Sequence, residues 1–124
     1  MASSRLKRLY LLAVRHDLAA QELRDAWLTP CLHCRSKVGI SRSGEPDRGT
    51  TLEHIVPRAW FGKRAAAALC ARVIGAEDPR NLALACARCN HSKGRRADAS
   101  GPQDEAARRT VESLIERRLQ RWRD

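Results

Sequence analysis

Two identical Cys-x-x-Cys pairs, Cys31-Leu32-His33-Cys34 and Cys86-Ala87-Arg88-Cys89, constrain this chain more than any other feature. Each is a tight turn that presents two sulfurs, and two such turns complete the soft tetrahedral donor set that zinc prefers. A fifth cysteine, Cys70, stands alone in an Ala-rich stretch and reads as a small core residue. An odd count argues against a fully paired disulfide framework. With no recognisable export signal, the cytoplasm is the expected location and metal binding the expected use of paired thiols. Ordinary buried cysteines are the competing reading, and two copies of one spacing weigh against it. A structural Zn2+ on Cys31, Cys34, Cys86 and Cys89 would pin together two loops separated by residues 35–85. His33 is an alternative ligand, although its place inside the first pair favours exposure at the knuckle tip.

A metal staple also suits the composition. The chain has 124 residues with only 4% aromatics, so its interior must be built from Leu, Ala, Val and Ile, which gives a modest core. The length fits one domain, residues 1–124. No apolar run approaches the ~18 residues of a membrane-spanning helix, and the early stretch Leu9 to Val14 ends at Arg15. The formal net charge is +10, spread along the chain rather than held in one tail. Four thiolates and one zinc would lower it only to +8, since four negative and two positive charges are added. A compact cation of this size attracts polyanions, and nucleic acid is the commonest of these in a cytoplasm.

Local patterning suggests the organisation. Residues 4–28 read as a helix with Leu6, Leu9, Ala13, Ala20, Leu23 and Trp27 on one face. Leu11, Val14 and Leu18 form a second stripe nearly opposite, a face available to another subunit in a homodimer. Residues 35–49 read as an exposed loop, 50–56 as a short strand, 58–74 as a helix stopped by Gly75, and 81–84 as a returning strand. A polar, basic helix follows from about Cys86 to near Gly94. A final helix over 103–122 carries Val111, Leu114, Ile115, Leu119 and Trp122 on one stripe, with acids in its first turn and arginines near its end.

Three further pieces lie around the cysteines: LEHIVP at 52–57, NLALACARC at 81–89 and CNHSKG at 89–94. Together they resemble HNH endonucleases of the zinc-knuckle type over about residues 31–96. The resemblance implies an α+β fold, a ββα-metal core with a four-cysteine zinc site, here flanked by N- and C-terminal helices. It also implies metal-dependent hydrolysis of DNA phosphodiesters, by nicking or double-strand cutting, leaving 5′-phosphate and 3′-hydroxyl ends. RNA is left open as a second substrate.

That chemistry requires a nucleophilic water, compensation for charge growing on the phosphorus oxygens, and help for the departing 3′ oxygen. His54, neutral near its ordinary pKa of ~6.5, suits the general base. By resemblance Asn81 orients the loop and the His54 ring. Glu53 and Asn90 are the implied hard ligands for a catalytic Mg2+ or Mn2+. His91 is the alternative to Asn90, or a phosphate contact, since consecutive helical residues diverge by ~100°. Glu53 replaces the commoner Asp and is one methylene longer, which shifts the ion or favours Mn2+. Lys93, Arg95, Arg96, Arg58, Lys37 and Arg35 are candidate phosphate contacts, giving affinity without base reading. Two other readings compete: a non-catalytic zinc-ribbon module that binds nucleic acid, and a small dimeric assembly protein using the two-striped first helix.

Overall fold

The computed structural model describes all residues, 1–124. Its first helix, α1 (Ser4–Arg15), is capped by Ser3, whose hydroxyl accepts from the Leu6 amide. It stops well short of residue 28. Beyond Asp17 the chain turns into two strands, β1 (Gln21–Glu22) and β2 (Ala26–Pro30), and β2 pairs antiparallel with β3 (Lys37–Ser41). In β2 burial alternates, with Trp27 and Thr29 inward. The apolar residues at 20–28 that fit a helical face are thus in extended chain. The continuous second stripe disappears with it: Val14 packs into the chain's own core, whereas Leu18 lies past the helix and is exposed. Part of the expected 35–49 loop is likewise strand, and Gly39 is what admits the close approach. A Cβ there would lie 2.8 Å from Leu28 Cδ2 and 2.9 Å from the Trp27 carbonyl oxygen.

The centre of the molecule is a two-stranded antiparallel ribbon, β4 (Thr50–His54) with β5 (Leu82–Cys86), in the register Thr50 to Cys86 and His54 to Leu82. Because side chains alternate along a strand, β5 serves two cores. Leu82 and Leu84 join Leu9, Val14, Trp27 and Ile40 beneath α1, while Ala83 joins Trp60, Val73, Val111 and Ile115 on the other side. The stretch expected as a helix over 58–74 is broken. It runs through single turns at Arg58–Trp60 and Arg64–Ala66, separated by Gly62 at φ 86°, before α2 (Ala67–Val73). After β5 comes α3 (Ala87–Lys93), which passes directly into one wide turn, Gly94–Asp98. Then α4 (Glu105–Gln120) begins at Asp104, whose carboxylate accepts from the Ala107 amide. No helix is long and apolar enough to cross a membrane.

One buried cation joins the outer helices to the ribbon. Arg118 of α4 is fully buried, and its guanidinium donates to the carbonyls of Ala13 at 3.1 Å, His16 at 3.3 Å and Pro79 at 3.0 Å. It thereby caps the end of α1 and holds the turn that precedes β5, with Asp17 as its counter-ion at 3.7 Å. Burial lowers its pKa to about 10, so it stays charged at neutral pH. Replacing it leaves the carbonyls of Ala13, His16 and Pro79 without this donor in a dry site, while Asp17 keeps its closer partner Arg121 at 2.6 Å. Arg118→Met is therefore expected to lower the unfolding free energy by about 2–3 kcal/mol, the cost of unsatisfied buried carbonyls, measured by denaturant titration; a loss within error would refute this role.

Candidate functional site

The sulfurs of Cys31, Cys34, Cys86 and Cys89 all lie within 4.8 Å of one another. Each pair arrives by a local device. The first knuckle closes through Arg35 N donating to Cys31 O at 3.1 Å, with Arg35 in the left-handed region at φ 67°. The second pair forms where β5 ends: Cys86 is its last residue and Cys89 sits in the first turn of α3. Cys31 Sγ is buried and accepts from the Cys86 amide at 3.2 Å, an arrangement suited to a thiolate. The knuckle is also anchored elsewhere, by Leu32 N to Leu84 O at 3.2 Å and by Arg117 of α4 donating to His33 O at 3.2 Å. The Ser36 hydroxyl brings the exposed Cys34 thiol down to about 6, whereas burial pushes Cys89 up. A soft, four-sulfur cluster of this kind fits a zinc ion, which would offset the charge of the thiolates.

His54 ends β4, directly before the segment that Asn81 holds. Asn81 is completely buried; its Oδ1 accepts from Val56 N at 2.7 Å, and its Nδ2 donates to Val56 O at 3.1 Å and Ala76 O at 3.0 Å. Every polar atom of this amide therefore sets the path of the chain leaving His54. The imidazole itself has an Nε2 shut off from solvent and without a hydrogen-bond partner, 3.6 Å from Glu77 Oε2. Burial, reinforced by the positive charge of Arg58, lowers its pKa below the usual histidine value, so the neutral ring dominates at neutral pH.

Glu53 points the other way, as strand alternation requires. Its carboxylate is fully buried, with Oε1 2.5 Å from His33 Nε2 and Oε2 3.3 Å from Lys93 Nζ. His33 is thus turned inward onto Glu53 rather than exposed at a knuckle tip, a correction that follows from the buried acid's need for a partner. Lys93 is also internal: its ammonium donates to His54 O at 3.0 Å and lies 3.2 Å from Asp98 Oδ1. It neutralises two acids and so is not placed as an exposed phosphate contact. Asn90 uses its Nδ2 on Thr51 Oγ1 at 3.1 Å and Leu52 O at 3.4 Å, tying α3 to β4, while His91 is exposed. Hence Glu53 and Asn90 share the face of β4 beneath α3, and His54 lies on the opposite face. Glu53 Oε1 is held by His33, whereas Oε2 is buried without a hydrogen-bond partner, 3.3 Å from the Lys93 ammonium.

The remaining candidates are surface groups. Arg95, Arg96, Arg35 and Lys37 are exposed, and Arg58 is exposed beside Glu77. A cleft of about 530 Å3 between α3 and α4, lined by His33, Arg88, Arg96 and Asp104, lies away from His54. Sequence reasoning missed Arg5, Glu77 and Asp98. Asp98 has a structural signal only in hindsight, the five-residue spacing from Lys93 that a wide turn makes contiguous.

A family model described as HNH endonuclease matches residues 31–96. Comparison with curated proteins and with solved structures gave no match. The purified protein is expected to carry one zinc per chain, with Cys34→Ala losing it. Chelation should lower the melting temperature by more than about 10 °C; an intact melt without metal would show that the sulfurs do not act as a staple.

Proposed function

The chain belongs to the HNH endonuclease family, the match covering more than half of its residues, and from that membership we propose that it hydrolyses phosphodiester bonds in DNA. The observation that carries this reading is His54. It is a neutral imidazole at the end of the ribbon, two residues before the Val56 that Asn81 holds, with an Nε2 that makes no hydrogen bond. Such a nitrogen can take the proton of an attacking water while Arg58 offsets charge on the phosphorus oxygens. The net charge of +10 supplies the long-range attraction for the substrate backbone, and exposed Arg35, Lys37, Arg95 and Arg96 are the short-range contacts. Products are expected to end in 5′-phosphate and 3′-hydroxyl.

The resemblance implies Mg2+ or Mn2+ at Glu53 and Asn90. Glu53 Oε2, buried without a hydrogen-bond partner 3.3 Å from Lys93, and the Asn90 amide are the groups that would hold such an ion. The same burial supports a second reading. If Glu53 is purely a partner of Lys93 and His33, the chain is a zinc-stapled module that binds nucleic acid and does not cut it.

Supercoiled plasmid, incubated without added metal and with Mg2+ or Mn2+, separates the two. The nuclease reading expects nicked or linear product in at least one condition. His54→Ala should cut at least about 100-fold more slowly while DNA affinity and zinc content stay within twofold. Plasmid that stays supercoiled in every condition, despite salt-sensitive binding, assigns the chain to the second reading; single-stranded RNA is the control for substrate class.

A further inference from the structure

The groups facing His54 make an unusual constellation. One carboxylate oxygen, Glu77 Oε2, receives Nη2 of Arg5 and Nη2 of Arg58 and stands 3.6 Å from His54 Nε2. These donors come from separate places: the first turn of α1, the turn after β4, and the end of β4 itself. Neither arginine makes another ion pair, and both are about half exposed, at 53% and 54%. Two guanidinium groups converging on one point repel each other unless an anion sits between them, and their forks match the oxygens of a phosphate as well as those of a carboxylate.

Resting on the nuclease reading, we infer that Glu77 is an internal stand-in for a substrate phosphate, and that a phosphodiester group displaces its carboxylate from Arg5 and Arg58, uncovering His54. The exchange conserves charge, since a phosphodiester carries the same single negative charge as the carboxylate it replaces. It is also easily made. Glu77 is a partly exposed surface residue in the turn between α2 and β5, its pairs are solvent-screened, and water can receive it when it swings out. The occlusion gives the displacement its consequence: Nε2 is closed to solvent while Glu77 is in place, so neither water nor substrate reaches the base until it leaves. A phosphate seated on the same two arginines would put its phosphorus beside that nitrogen. Arg5 thereby gains a function from α1, outside the segment matched by the family model. Glu77 is a positioning and gating residue on this account.

The test is a coupling cycle read by binding, without added divalent metal, on a short DNA duplex in full-length, zinc-loaded protein. Glu77→Gln should tighten binding at least about threefold. Arg5→Gln with Arg58→Gln should weaken it and lower the salt dependence by about one to two counterions. In that double-variant background Glu77→Gln should have no further effect, which separates displacement from a general loss of negative charge; Glu112→Gln on exposed α4 surface sets that general baseline. A second readout concerns the gate. Diethylpyrocarbonate should modify His54 at least about fivefold faster in Glu77→Ala, with exposed His91 as internal standard by peptide mass spectrometry. Tightening that persists without the two arginines, or an unchanged His54 rate, overturns the inference and leaves the nuclease reading standing. A wild-type protein that binds no DNA overturns both.

Discussion

The convergence of four sulfurs on one point is the constraint on which the rest of the molecule depends. Cys31 and Cys34 lie on a loop joined to β5 by the Leu32 amide and by the Cys86 amide on Cys31 Sγ, and Cys86 and Cys89 lie where β5 becomes α3. Bringing those turns together fixes where β5 ends and the angle at which α3 leaves it. That junction then sets Lys93 against Glu53 and Asn90 against Thr51. A core with so few aromatic side chains has little else of comparable strength with which to impose these positions, apart from Arg118 on the opposite flank. The two devices differ in kind: one is a soft-donor cluster between loops, the other a buried guanidinium spanning helix ends.

Within that frame, strand geometry separates the chemistry onto two faces. Glu53 and His54 are adjacent in sequence yet back to back in space. The face under α3 is closed by polar contacts, with Lys93 placed between Glu53 and Asp98 and His33 on the other oxygen of Glu53. A buried acid needs such partners because desolvation otherwise favours its neutral form. The other face is half open, and its polar groups meet solvent through Arg5, Arg58 and Glu77. Lys93 links the faces by holding the His54 carbonyl, so the base and the buried acid share one support.

The outer helices do more than cover a small core. The first turn of α1 supplies an arginine to Glu77, the residue facing His54, and α4 steadies the first cysteine turn through Arg117 while gripping Pro79 ahead of Asn81 through Arg118. Positions far outside residues 31–96 therefore bear directly on the arrangement of the family's core. That is a physical reason for the length of this chain beyond its ββα unit.

Much of the ribbon was legible from residue order. The β-branched run before Pro57, the Asp78-Pro79 turn and the cysteine pairs are local signals, and they produced β4, β5, the start of α3 and the sulfur cluster. Residues 17–30 were not legible as strands. Apolar positions there satisfy a helical period, and only pairing with β3, made possible by Gly39, decides between the two conformations. The same distinction separates the site's parts. Residue types and spacing determine that thiols, an imidazole, an amide and an acid occupy the core of this fold, because those follow from composition along short segments. Which side chains meet is a long-range matter: that Lys93 rather than solvent faces Glu53, that His33 turns inward, and that Arg5 and Glu77 meet at His54. Tertiary structure alone decided these, since each contact joins residues at least nineteen positions apart whose encounter no local pattern encodes.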